Sequence, residues 1–130
     1  MWRNAIGVLA LAIALGACGS STRAQGAATD GDITIAVVAD PGVVGERNEL
    51  RVRLEDAQHH PVTGAHVTVQ IEMPAMPMHR APLPLEERNS GEYATARPDF
   101  DMDGEWTTQV TATGGAGRRI EGVTHLRIRD

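Results

Sequence analysis

The chain has 130 residues, a formal net charge of −5 and 42% hydrophobic residues, which is enough apolar material for one cored domain in a length too short for two. Only 3% of residues are aromatic and acidic side chains outnumber basic ones, so the basic, stacking surface used in nucleic-acid binding is not provided. A single cysteine excludes an intramolecular disulfide and a cysteine-built zinc site.

The N-terminal residues read as an address. Met1-Trp2-Arg3-Asn4 carries one positive charge, residues 5–15 are an unbroken apolar run, and Gly16-Ala17-Cys18-Gly19-Ser20 is a run of small residues. This is the pattern of a secretory signal peptide, and the apolar run is too short to span a membrane. Leu15-Gly16-Ala17-Cys18 resembles the lipobox of bacterial lipoproteins, in which the chain is cut before the cysteine and acyl chains are added to it. The alternative is an ordinary secretory cut near Ala24 or Ala28, with Cys18 lost in the leader. The lipobox reading gives the one cysteine a single role and leaves no stray thiol. Two or more acyl chains anchor stably where one does so only marginally. The expected location is therefore the bacterial cell envelope, lipid-anchored to a membrane and facing the periplasm or the outer surface. Residues 19–31 lack any large apolar side chain and read as a flexible tether. The expected organisation is a signal peptide over 1–17, a lipidated cysteine and tether over 18–31, and a folded domain over 32–130.

From Asp32 the hydrophobic pattern has period two. Ile33, Ile35 and Val37 predict a first strand ended by Asp40-Pro41-Gly42. Leu50, Val52 and Leu54 alternate with Arg51, Arg53 and Glu55 in a second, and residues 56–64 form a polar turn containing His59-His60, Pro61 and Gly64. Ala65, Val67, Val69, Ile71 and Met73 then share one face, with His66 on the other. Leu83 and Leu85 predict a short strand that Pro82 and Pro84 would confine to a sheet edge. Asn89-Ser90-Gly91 turns the chain toward Tyr93, in a pattern resembling a tyrosine corner whose hydroxyl caps nearby backbone. Asp101-Met102-Asp103-Gly104 turns it again into Trp106, Thr108, Val110 and Ala112, with Trp106 as the large core filler. A last strand puts Ile120, Leu126 and Ile128 on one face and Arg119, His125, Arg127 and Arg129 on the other. About seven short strands at even spacing, with no helical period beyond the leader, predict an all-β sandwich of immunoglobulin-like type.

One segment carries concentrated chemistry. Met73-Pro74-Ala75-Met76-Pro77-Met78-His79 holds three of the four methionines that follow the leader, with a histidine beside them. A thioether is soft and uncharged, so it suits cuprous copper and serves hard ions poorly; an adjacent imidazole would tighten such a site. The prolines hold the segment extended and deny it a regular ladder. Met102 would add a further sulfur if its turn lies alongside. The candidate ligands are Met76, Met78 and His79, supported by Met73 and Met102. Against this stands packing: Met73 continues the inward parity of Val67, Val69 and Ile71, and Met76 and Met78 would serve as flexible caps on an open sandwich end.

Several runs carry a family resemblance. They are Pro41-Gly42-Val43-Val44-Gly45-Glu46-Arg47-Asn48-Glu49-Leu50, Leu54-Glu55-Asp56, Pro61-Val62-Thr63-Gly64-Ala65, the Met-Pro stretch, Gly91-Glu92-Tyr93, Phe100-Asp101-Met102 and Gly104-Glu105-Trp106-Thr107. Over about residues 32–113 the chain resembles the YtkA-like domain, related to the periplasmic part of FixH-like proteins. The resemblance implies an immunoglobulin-like fold, an envelope location and an association with copper handling. Such domains often carry glycine after the second methionine; here Pro77 stands there and stiffens the loop.

Two functions follow from these residues. The first is an anchored copper carrier or buffer that serves a copper-receiving envelope enzyme or membrane complex. The second is a metal-free interaction module whose methionines form an adaptable apolar contact with an envelope complex. Convergence of the sulfurs on one open position favours the first, and their spread over a continuous patch favours the second. No catalytic role is expected. The three serines, Ser20, Ser21 and Ser90, lie in the tether or a tight turn, and the acidic pairs Glu86-Glu87 and Asp101/Asp103 read as solvated surface.

Overall fold

Period-two burial is what organises the chain. A computed structural model describes residues 23–78, 80–114 and 117–130, and these form eight antiparallel strands and no helix. They are β1 (Ala24–Asp30), β2 (Ile33–Asp40), β3 (Glu49–Glu55), β4 (His66–Glu72), β5 (Leu83–Asn89), β6 (Glu92–Thr95), β7 (Gly104–Thr113) and β8 (Arg119–Ile128). The ladder order is β1-β2-β3-β6-β5-β4-β7-β8. The strand β5 passes between two sheets: residues 83–85 pair with β4 and the following residues pair with β6. One layer is thus β1-β2-β3-β6 and the other β4-β7-β8, folded over a shared core. Ile35, Val37, Leu50 and Val52 from the first layer meet Val69, Val110, Leu126 and Ile128 from the second. Each such side chain taken fully from water contributes about 1.5–3 kcal/mol, which is why one face of every strand is apolar. Thr108 and Thr124 also face inward, and their hydroxyls bond to each other across the β7–β8 ladder.

The expected all-β sandwich is what the chain forms, with two corrections. Residues 24–30, assigned from the sequence to the tether, are the edge strand β1, in full antiparallel register with β2 from Ala24↔Ala39 to Asp30↔Ile33. The inward positions of β1 are Ala24, Gly26 and Ala28, small because β8 lies directly against them. A Cβ on Gly26 would come 2.7 Å from the His125 carbonyl oxygen, and one on Gly122 would come 3.2 Å from the Ala28 Cβ. An alternation of small with small leaves no hydropathy signal. The second correction concerns β5, which is internal to the ladder order rather than an edge. Its N-terminal part nevertheless has a ladder on one side only, which is where Pro84, lacking an N–H, is tolerated. Residues 1–17, expected to be a signal peptide, and Cys18 lie outside the described residues.

Two polar side chains fasten the loops. Asn48 is buried and fully satisfied: its Oδ1 accepts from the Gly42 and Val43 N–H groups at 2.8 and 3.2 Å, and its Nδ2 donates to the Val43 and Glu46 carbonyls at 2.8 and 3.2 Å. The Tyr93 hydroxyl donates to the Val62 carbonyl at 2.8 Å and accepts from the Ala65 N–H at 3.1 Å. The expected cap is there, reaching the loop between β3 and β4. Burial pushes the Tyr93 hydroxyl above the usual phenol range; the Ala65 N–H opposes this and the nearby Glu87 carboxylate adds to it.

Candidate metal centre

The inward parity of β4 runs Val67, Val69, Ile71 and continues one step past the strand to Met73, which is 8% exposed. Pro74 ends the ladder because it has no N–H to give. The Met76 N–H then donates to the Met73 carbonyl at 3.0 Å, closing a turn with Pro74 at its second position, where the ring's fixed φ is already suitable. Met76 and Met78 emerge from this turn 50% and 53% exposed.

The opposite wall comes from the loop between β6 and β7. Phe100 is buried and meets Trp106 edge to face, with ring centroids 5.3 Å apart. The Trp106 indole N–H donates to the Met102 carbonyl at 2.9 Å, which fixes the turn bearing Met102. Gly104 follows at φ 123°, a conformation that L side chains rarely adopt and that calls for glycine; a Cβ there would stand 3.1 Å from the flexible Met73 methyl carbon. Arg80 closes the arrangement. It donates from Nη1 to the Asp99 carbonyl at 2.6 Å and from Nη2 to Asp101 Oδ1 at 3.0 Å, with its guanidinium carbon 5.1 Å from the Trp106 ring centroid.

Met73, Met76, Met78 and Met102, with Arg80, Asp101 and Trp106, line one cavity of about 10 Å³. That is the scale of a single water or ion, and it is too small for an organic substrate. An open groove of about 390 Å³ adjoins it, sharing Met78, Arg80 and Asp101. All four methionines proposed from the sequence are thus brought together, with Met102 next to the Met-Pro loop as the adjacency condition required. Met73 is both core and cavity floor. His79, also proposed, lies outside the described residues. Among the described residues, no group of three His, Cys, Asp or Glu side chains is placed to hold a metal, and the soft donors among the cavity's lining residues are those of its methionines.

The remaining histidines lie elsewhere, as their sequence positions suggested. His59 and His60 sit in the exposed β3–β4 loop near Glu55 and Asp56, His66 is exposed, and His125 pairs with Glu105 at 3.3 Å. Sequence reasoning did not identify Arg80 or the part played by Phe100. Arg80 is separated from Asp101 by 21 positions, and only the packing of two loops at one sandwich end joins them.

A small all-β sandwich with soft donors gathered at one end is the class of protein these observations define. The model of the YtkA-like family matches residues 27–111, more than half of the chain and including both walls of the cavity. The chain belongs to the YtkA-like family. No curated protein and no solved structure matches it.

Proposed function

We propose that this protein is a lipid-anchored envelope protein that binds cuprous copper through thioethers at one end of its β-sandwich, and carries or buffers the ion for an envelope enzyme or membrane complex. The observation carrying this reading is the convergence of Met73, Met76, Met78 and Met102 on one cavity of atomic size. Methionines serving only as a docking surface would spread over a continuous apolar patch. Uncharged thioethers favour a soft monovalent ion over hard divalent ones. Three of the four methionines are 40–53% exposed, which leaves their side chains within reach of an acceptor and suits exchange more than permanent retention. Membership of the YtkA-like family supports an extracytoplasmic β-sandwich, and the lipobox-like Leu15-Gly16-Ala17-Cys18 supports acylation at Cys18.

The test is an anaerobic competition for cuprous ion between the full-length chain and a chromophoric chelator. Met76 and Met78 are exposed, so a Met76→Ala, Met78→Ala double variant keeps its fold. It should lose roughly a hundredfold in affinity as two soft donors vanish. His79→Ala, measured in the same way, reports whether the imidazole adds to the thioethers. A double variant that competes as well as the parent overturns the metal reading.

A further inference from the structure

Of the residues lining the thioether cavity, one carries a carboxylate, and that carboxylate is held. Asp101 Oδ1 lies 3.0 Å from Arg80 Nη2. Arg80 is itself fixed on three sides, by Asp101, by the Asp99 carbonyl at 2.6 Å and by the Trp106 ring, and its side chain is only 18% exposed. Arg80 is thus a fixed partner for the Asp101 carboxylate at the cavity wall.

We propose that Arg80 makes the cavity selective for a soft monovalent cation by holding the carboxylate of Asp101, the one hard anionic donor among the lining residues, away from an incoming ion. The proposal rests on the thioether reading and specifies which ions that site refuses. A free carboxylate beside thioethers would be a ligand for divalent cations, which prefer oxygen donors. Paired through Oδ1 with one guanidinium nitrogen, it loses part of that capacity. The Arg80–Asp101 pair is neutral as a whole, so releasing the carboxylate adds one net negative charge beside the cavity, which attracts a divalent ion twice as strongly as a monovalent one because Coulomb energy scales with the charge. With the carboxylate held, the other donors lining the cavity are uncharged thioethers, which favour an ion that gains from soft bonding. The half-exposed position of Asp101 means that, once released, it can turn toward the cavity from solvent.

The test uses the purified full-length chain with silver(I) as the soft monovalent probe and cobalt(II) as the divalent one, both followed by calorimetry. Arg80→Gln should keep silver affinity within about threefold and raise cobalt affinity roughly tenfold. Adding Asp101→Asn to that variant should remove the gain. Asp101→Asn alone, which leaves Arg80 in place, should change silver affinity little. Arg80→Gln that still takes silver without gaining cobalt overturns the proposal, as does a gain that survives in the Arg80→Gln, Asp101→Asn chain. Should Arg80→Gln fail to fold, the single Asp101→Asn variant decides: a roughly tenfold loss of silver would show the carboxylate to be a ligand and overturn the proposal. A parent chain that does not take silver at all overturns the thioether reading first, a failure distinguishable from the others.

Discussion

Tyr93 closes a loop to the sandwich through one oxygen, donating to the Val62 carbonyl and accepting from the Ala65 N–H. Tyr93→Phe keeps the ring and its packing but leaves both backbone groups without that partner, so it should cost about 1–3 kcal/mol in urea unfolding at neutral pH. The pH dependence has a definite sign. Burial raises the phenol's folded-state value, so the fold favours the neutral hydroxyl. That contribution is fully present below the ordinary phenol range and is lost as pH rises through the raised value. The parent should therefore weaken above about pH 10, and Tyr93→Phe should show a shallower decline there. An unchanged midpoint at neutral pH would contradict the clamp. Tyr93 was legible because Asn89-Ser90-Gly91-Glu92-Tyr93 places a turn and an aromatic in a recognisable order. Asn48 and Arg80 were not. Their partners, a loop's own backbone in one case and a carboxylate in another loop in the other, depend on chain path rather than on residue type.

At the scale of elements, strands with large apolar residues on alternate positions declared themselves, and those that alternate otherwise did not. In β2, β3, β4, β7 and β8 the inward side chains are mostly Ile, Val, Leu or Trp, and the period is visible directly. In β1 they are alanine and glycine, because the backbone of β8 comes too close for anything larger. The same composition that reads as a flexible linker thus makes a closely packed strand. Deleting residues 24–30 should accordingly destabilise the domain by roughly 2–4 kcal/mol, since it uncovers the β2 edge and the core beside Ile35. Gly26→Val tests the reason independently. Its side chain would meet the His125 carbonyl, so it should lower the melting temperature although valine favours strands. If both chains melt with the parent, β1 is not part of the cooperative unit. The Met-Pro loop lies between these cases: its ligands were legible as residues, but their convergence depends on the turn at Pro74 and on the second wall built around Trp106.

For the whole molecule, the decisive geometry is which end of the sandwich bears the cavity. Gly104 at the start of β7 pairs with Ile128 at the end of β8, and next to it Arg129 donates to the Gly42 carbonyl at 2.9 Å. A Cβ on Gly42 would stand 2.8 Å from the Ala24 nitrogen. These contacts run unbroken from the cavity wall to the start of β1, so the thioethers and the point where the chain enters the sandwich share one end. With β1 beginning at Ala24, Cys18 and Arg23 are five residue steps apart in sequence, a span of at most roughly 17 Å. Acylation at Cys18 would therefore hold the thioether end against the membrane surface, favouring exchange with a membrane-embedded acceptor over one diffusing freely. The prediction is measurable in vesicles whose headgroups carry a quencher. A fluorophore at Arg47→Cys, in the exposed β2–β3 loop at the cavity end, should be quenched more than one at Ser90→Cys, in the β5–β6 turn at the other end. Inserting 20 glycine and serine residues after Thr22, a coil with an end-to-end distance of about 25 Å, should shrink that difference. Cys18→Ala should abolish quenching at both positions. Equal quenching of the two labels on the native-length tether would mean that the thioether end does not face the membrane, and the acceptor would then be sought among soluble proteins.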